Sequence, residues 1–212
     1  MVKRIFVFFV LIFISVSVAS SAFVRVKVGG IADGDTLFLE NRPNLRLMCI
    51  DAPEIDHESG KNQYYALAAR DFLWRLVRGK ILFLRDVKHD RFGRMLAQAY
   101  LPDGTWLNFL LVRKGYAFYF PHKREKCLKI LQAQRWAMQE EVGFWKKILH
   151  LPCASQDFIG NKRSRRFHTL RCKFGKRISR FNRVIFHSLY AAFYQGYAPA
   201  RCCTVWPIER LP

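Results

Sequence analysis

Three short segments hold most of the polar residues that could do chemistry in this chain. They are Asp33-Gly34-Asp35-Thr36, the stretch from Arg46 to Glu54 that contains Asp51-Ala52-Pro53-Glu54, and Asp90-Arg91-Phe92-Gly93-Arg94. Each places charges beside an apolar run. Taken singly, each has a plain structural reading: Asp33-Gly34 as a turn, Asp51 to Glu54 as an acidic loop or helix start, Asp90 and Arg94 as a surface ion pair. Together they are nearly a complete inventory for hydrolysing a phosphodiester. That anion repels hydroxide, so a catalyst must neutralise charge, activate a water and stabilise charge growing on the equatorial oxygens. Asp35 and Asp51 are hard oxygen donors suited to Ca²⁺. Glu54 is a candidate general base, and the forks of Arg46 and Arg94 suit a phosphate.

The elements that must position these groups read as a small barrel. Phe23 to Val28 alternates apolar and basic residues, and four further apolar strands are expected at Thr36 to Leu39, Leu45 to Ile50, Lys80 to Leu84 and Met95 to Tyr100. Helical spacing runs from Asn62 to Val77 before Gly79, from Leu107 to Lys114 before Gly115, and from Glu125 to Glu141. Five strands with a helix after the third and helices at the end suggest a mainly β fold, a five-stranded Greek-key barrel of the OB type with three helices. Arg46 and Asp51 are five apart and would face opposite ways on one regular strand, so a bend is required before Asp51. Pro53 fits a strand end there.

The ordered set of Asp-Gly-Asp-Thr, Arg46-Leu through Ile50-Asp51 to Pro53-Glu54, Asp90 through Phe92-Gly93-Arg94, and Leu111-Val-Arg-Lys-Gly-Tyr116 resembles the staphylococcal (micrococcal) nuclease family across residues 24 to 146. The resemblance implies a Ca²⁺-dependent endonuclease that cleaves DNA, RNA or both and leaves 3′-phosphate ends. It implies metal ligation by Asp35, Asp51 and the backbone carbonyl of Ala52, where family members often carry Thr. Catalytic roles pass by resemblance to Arg46, Glu54 and Arg94, and substrate contact to Arg91. Phe92 stands where the family commonly has Tyr. Tyr119, within the aromatic run from Tyr116 to Phe120, is the expected base-stacking residue. A different class of function, a nucleic-acid-binding barrel without turnover, has no need for Asp35, Arg46, Asp51, Glu54 and Arg94 together.

The rest of the chain bounds the setting. Its 212 residues carry 36 Lys+Arg against 16 Asp+Glu, a net +20, with 51% hydrophobic residues. That composition excludes a disordered chain and a polytopic membrane protein, and the charge favours polyanionic partners. Residues 1–22 have the basic start, apolar run and small residues of a signal peptide, which implies a periplasmic or secreted product without a stable membrane span. An uncleaved signal serving as an anchor is the alternative. A monomer is expected.

The nuclease-like part is expected to span 23–148, followed by a basic α+β module over 149–212. That module holds 12 Lys+Arg against 2 Asp+Glu. Its basic residues Arg163, Arg165, Arg166, Arg171, Lys173, Lys176, Arg177, Arg180 and Arg183 suit sequence-independent phosphate contacts or a solvated face. Strands near Phe158 and Val184 and a helix from Ser188 to Gly196 are expected. The module resembles an Ada-like metal-binding unit, although Ala200 replaces the first Cys of the usual closing pair and Cys202 lies beside Cys203. The resemblance leaves open a Zn²⁺ site on His168, Cys172 and Cys203, a disulfide-stapled remnant, or no bond. Six cysteines allow 15 pairings, and sequence alone selects none.

Overall fold

The structure is a computed structural model that describes residues 23–121 and 127–209. The expected signal peptide and the expected start of the third helix at Glu125 lie outside the described residues. Among the described residues no helix is long and apolar enough to cross a membrane.

Strands β1 (Val24–Ile31), β2 (Thr36–Leu39), β3 (Leu45–Leu47), β5 (Ile81–His89) and β6 (Met95–Tyr100) close a barrel in the order β1-β2-β3-β6-β5. The short β4 (Ile50–Asp51) leaves the barrel and pairs with β7 (Phe118–Tyr119). The alternation in β1 is explained by the closure: Val26 and Val28 are buried while Arg25 and Lys27 face solvent. The interior is filled by Leu37, Leu45, Leu47, Leu82, Leu84 and Ala97. Helix α1 (Ala66–Val77) buries Ala69, Leu73 and Val77, and α2 (Leu107–Arg113) buries Leu107 and Leu111. Helix α3 (Leu128–Gln139) and the short α4 (Trp145–Ile148) complete this part. It is the expected OB-type barrel with its helices; the strand expected over Leu45 to Ile50 is two strands with a bend between them.

The remaining elements are β8 (Phe158–Asn161), β9 (Arg166–Thr169), α5 (Lys173–Lys176), β10 (Arg183–Phe186), α6 (Leu189–Tyr194) and β11 (Ala198–Pro199), with a 3-10 turn at Arg201–Cys203. Their sheet runs β10-β8-β9-β11. The composition change near residue 149 is not a break in packing. Phe118, Ala137, Met138, Phe144, Trp145 and Ile148 share one buried cluster with Phe158, Phe167, Phe186, Phe193 and Trp206. Gln134 stitches the same seam: it accepts from the Tyr119 N–H at 2.6 Å and donates to the Phe193 carbonyl at 2.6 Å. Both of its polar ends are therefore satisfied inside the core. At the neighbouring turn, a Cβ on Gly115 would meet the Val142 carbonyl oxygen at 2.2 Å, so only glycine admits this backbone contact.

Candidate active site

The acidic and basic side chains meet at the rim where β2, β3 and β4 end. Thr36 pairs with Arg46 across β2 and β3, and the Leu47 N–H donates to the Asp35 carbonyl at 2.8 Å. This register puts Asp35 beside Arg46. Cys49, with φ 64°, supplies the required bend, after which β4 presents Asp51 on the same side as Arg46. Gly34 locks the loop to the strand, because a Cβ there would lie 2.8 Å from both the Ala52 and Ala69 methyls. A disulfide between Cys49 and Cys127 ties the bend to the head of α3 across 78 residues of sequence.

Within this frame the Arg46 guanidinium bridges Asp35 and Asp51, one carboxylate on each terminal nitrogen. Asp35 also accepts from the Ala52 N–H at 2.7 Å and from the Thr36 hydroxyl at 2.9 Å. Asp33 accepts from the Asp35 N–H at 3.0 Å, which makes it a turn-shaping residue. Burial pushes the Asp35 carboxyl well above the usual aspartate range, and Arg46 opposes this only in part. Burial acts the same way on Asp51, but the combined charges of Arg46, Arg166 and Arg201 outweigh it and hold that carboxyl low. Two carboxylates side by side, both removed from water, have much to gain from a cation, so the donor set fits a hard divalent ion.

Glu54 sits on the loop after Pro53 and is half-buried. Its N–H donates to the Gln63 side chain at 3.0 Å, and the Gln63 N–H donates back to its carbonyl at 3.0 Å. Burial raises the Glu54 carboxyl, against the charges of Arg201 and Arg46. A shift in that direction makes the carboxylate a stronger base than a free glutamate.

The structure does not bring every expected residue to this rim. Arg94 folds back on Asp90 with Nε and Nη2 contacts of 2.8 Å, the surface pair that the sequence also allowed. Its backbone nonetheless lies close by, since the next residue, Met95, pairs with Leu45. Arg91 is exposed and lies over the Phe92 ring at 4.7 Å. Tyr119 requires a correction. It is 4% exposed, packed in the barrel core and against Gly196, so its ring offers no face to a base. Phe92, on the hairpin that carries Arg91 and Arg94, is 68% exposed, with the two guanidinium groups 4.7 and 5.5 Å from its ring.

Two arginines not expected at this rim join it from the C-terminal module, Arg166, which the sequence placed only in a general basic set, and Arg201. Arg166 on β9 contacts the outer oxygen of Asp51 at 3.0 Å, and Arg201 pairs with Glu54. No local pattern marks them, because they lie 115 and 147 residues from their partners.

A second cluster lies behind them. His168, Cys172, Cys202 and Cys203 place their ligand atoms within 4.8 Å of one another. The His168 Nδ1 to sulfur separations are 3.4, 3.6 and 3.4 Å for Cys172, Cys202 and Cys203, and the Cys172 to Cys202 sulfurs are 3.7 Å apart. Tetrahedral zinc with its usual bond lengths spaces its ligands by about 3.5 to 3.8 Å, so these residues fit that ion. The expected three ligands become four, because the 3-10 turn at Arg201–Cys203 lets adjacent cysteines converge. These three cysteines are not disulfide-bonded. Backbone N–H groups of Gly175 and Phe174 and the neighbouring Cys203 and His168 outweigh burial and bring the Cys172 thiol down to about 6, while burial and the ionised neighbour push Cys202 up and Cys203 up to about 12, so without a cation one thiol of the set ionises readily. Cys172 is thus the thiol ready to take up a cation first.

A rim of paired carboxylates and arginines on an OB-type barrel defines a class of phosphodiester-handling proteins. The family model for staphylococcal nuclease homologues matches residues 44–147. An uncharacterized endonuclease of Escherichia coli O157:H7 is 36% identical over 126 residues, covering 58% of this chain and 77% of the relative. The thermonuclease of Staphylococcus hyicus is 32% identical over 127 residues, covering 56% and 74%. Protein ParB of Escherichia coli is 30% identical over 142 residues, covering 60% and 77%. The chain belongs to the staphylococcal nuclease family and is by class a nuclease, a hydrolase of phosphodiester bonds in nucleic acid.

Proposed function

We propose that the protein is an exported, Ca²⁺-dependent endonuclease that hydrolyses DNA, RNA or both and leaves 3′-phosphate ends. One observation carries the reading: Arg46 bridges two buried carboxylates, Asp35 and Asp51, at the rim that also holds Glu54. Asp35, Asp51 and the Ala52 carbonyl would hold the cation, which when bound supplies charge neutralisation for the phosphate. Glu54 takes a proton from the attacking water. Arg46 meets the charge that grows on the phosphoryl oxygens, and Arg94 joins it by leaving Asp90. Arg91 binds a neighbouring phosphate.

The nuclease domain spans 23–148, and the basic module spans 149–212 with a Zn²⁺ on His168, Cys172, Cys202 and Cys203. Export is supported by the signal-like sequence of residues 1–22 and by the Cys49–Cys127 disulfide, since such bonds persist in oxidising compartments. The test is digestion of single-stranded DNA by the mature chain with Ca²⁺, with chelator, and by Glu54→Gln. Loss of ~10²- to 10⁴-fold in the variant is expected for removal of a general base. Equal rates in all three samples would remove both the metal and the base from the mechanism.

A further inference from the structure

The nuclease rim is completed by residues outside the family-matched segment. Arg166 reaches Asp51 from β9, and Arg201 reaches Glu54 from the turn that carries Cys202 and Cys203. The two are held differently. Arg166 is largely buried: its Nη1 donates to Asp51 and to the Pro199 carbonyl, each at 3.0 Å, and the Phe120 ring covers its guanidinium at 3.7 Å. Those bonds use one nitrogen, and the other two have no acceptor among the described residues. The Arg201 side chain is 68% exposed and rests on Glu54, itself 37% exposed. Such an exposed pair contributes little to stability, so its guanidinium is easily redirected.

The backbone around both is firmly placed. Trp206 donates to the Tyr64 carbonyl at 2.8 Å, the Tyr64 N–H donates to Pro207 at 2.7 Å, and the Glu209 N–H donates to Asn62 at 2.7 Å. The C-terminal segment thus runs alongside the loop that carries Glu54. The His168 and cysteine cluster grips both arginine-bearing segments, two residues from Arg166 and one from Arg201.

Charge shows what this arrangement does. Asp33, Asp35, Asp51 and Glu54 bring four negative charges to the rim, and Arg46 is the cation that the barrel sets among them; Arg94 is neutralised by Asp90. With all four carboxyls ionised, as a bound cation favours, one divalent ion and Arg46 still leave a net negative charge that opposes a phosphodiester. Arg166 and Arg201 turn that sign positive. We propose that these two arginines form a phosphodiester-binding subsite built by the C-terminal module at the nuclease carboxylates. Arg166 is a fixed donor beside Asp51, and Arg201 swings from Glu54 to the incoming phosphate and frees the base. The active site then spans both parts of the chain.

This inference rests on the nuclease reading, and the experiment separates the two. Full-length Arg166→Ala, Arg201→Ala, the double variant and the matching Lys variants are assayed on a single-stranded oligothymidylate with Ca²⁺, beside wild type and Glu54→Gln. Affinity for the same oligonucleotide is measured in the Glu54→Gln background over a salt series. Each Ala change should raise KM about tenfold and lower the salt slope of binding by about one, with partial rescue by Lys. Thermal midpoints report folding; if Arg166→Ala does not fold, the exposed Arg201 carries the test alone. Unchanged kinetics and salt slope in Arg201→Ala overturn the subsite. A rate increase in that variant also overturns it, since Arg201 would then be a plug on the base. Inactive wild type would instead sink the nuclease reading.

Discussion

Removing Arg46 should expose how the paired carboxylates are tolerated. In Arg46→Ala, Asp51 keeps Arg166, whereas Asp35 loses its ion-pair partner in a place where the residue is 1% exposed. Stripping one partner from a buried pair costs about 3 to 5 kcal/mol. The lower end applies here, because Asp35 keeps the Ala52 N–H and the Thr36 hydroxyl. For a chain of this size 1 kcal/mol corresponds to roughly 2 to 4 °C, so the midpoint should fall by about 6 to 12 °C in chelator at pH 7. The pH dependence has a definite sign. Asp35 is already raised by burial, and losing Arg46 raises it further. A folded-state pKa above the unfolded one destabilises the ionised form, so the deficit is full above the raised value and closes as pH falls through it. Adding Ca²⁺ should recover part of the loss, and Asp35→Asn in the same background should recover most of it, a coupling that a double-mutant cycle reads directly. Scanning calorimetry across pH 5 to 8 is the assay. Matching midpoints for wild type and Arg46→Ala throughout would refute the assignment of Arg46 as the counter-ion of a buried pair.

Other expectations are more compact. The acidic limb of kcat/KM should lie above the ordinary glutamate value of 4.5, because burial raises Glu54, and Arg201→Ala should move it to higher pH by withdrawing a charge that favours the ionised base. A limb unmoved by the variant would disconnect Arg201 from Glu54. Metal analysis of the purified chain should find one zinc per molecule, lost in Cys172→Ser, and full thiol titration of the native protein without release of zinc would count against the four-ligand site. Phe193→Ala opens a cavity between Phe118, Trp145, Phe167 and Trp206. It should cost about 3 to 5 kcal/mol within a single unfolding transition, whereas two separated transitions in wild type would contradict the shared core.

The barrel was readable because its strands are half-buried and alternate, as Val26 and Val28 do against Arg25 and Lys27. The bend before Asp51 was legible as a necessity of parity, although nothing local singled out Cys49 to adopt φ 64°. Strand β9 escaped detection because Arg-Phe-His-Thr has one fully apolar residue, and its pairing with β8 and β11 decides its conformation. Tyr119 was misjudged for a related reason: an aromatic run does not say which rings face inward, and its pairing with Ile50 turns that ring into the core. Arg166 and Arg201 were hidden most deeply, since their meaning comes only from tertiary contact. Cys202 was left out because it stands beside Cys203 where the usual closing pair is spaced Cys-x-x-Cys, and the 3-10 turn supplies the rearrangement that an adjacent pair needs.

The contact at Gly34 reaches beyond the loop it fixes. Its place is bounded by the methyls of Ala52, beside the paired carboxylates, and Ala69, on α1. Three of the smallest residues thus act as the gauge that sets the distance between the two acidic segments. Enlarging the residue at position 69 would be felt as a displaced Asp35, so a helix position remote from the substrate carries the same burden of exactness as a ligand and leaves the enzyme little freedom to drift there.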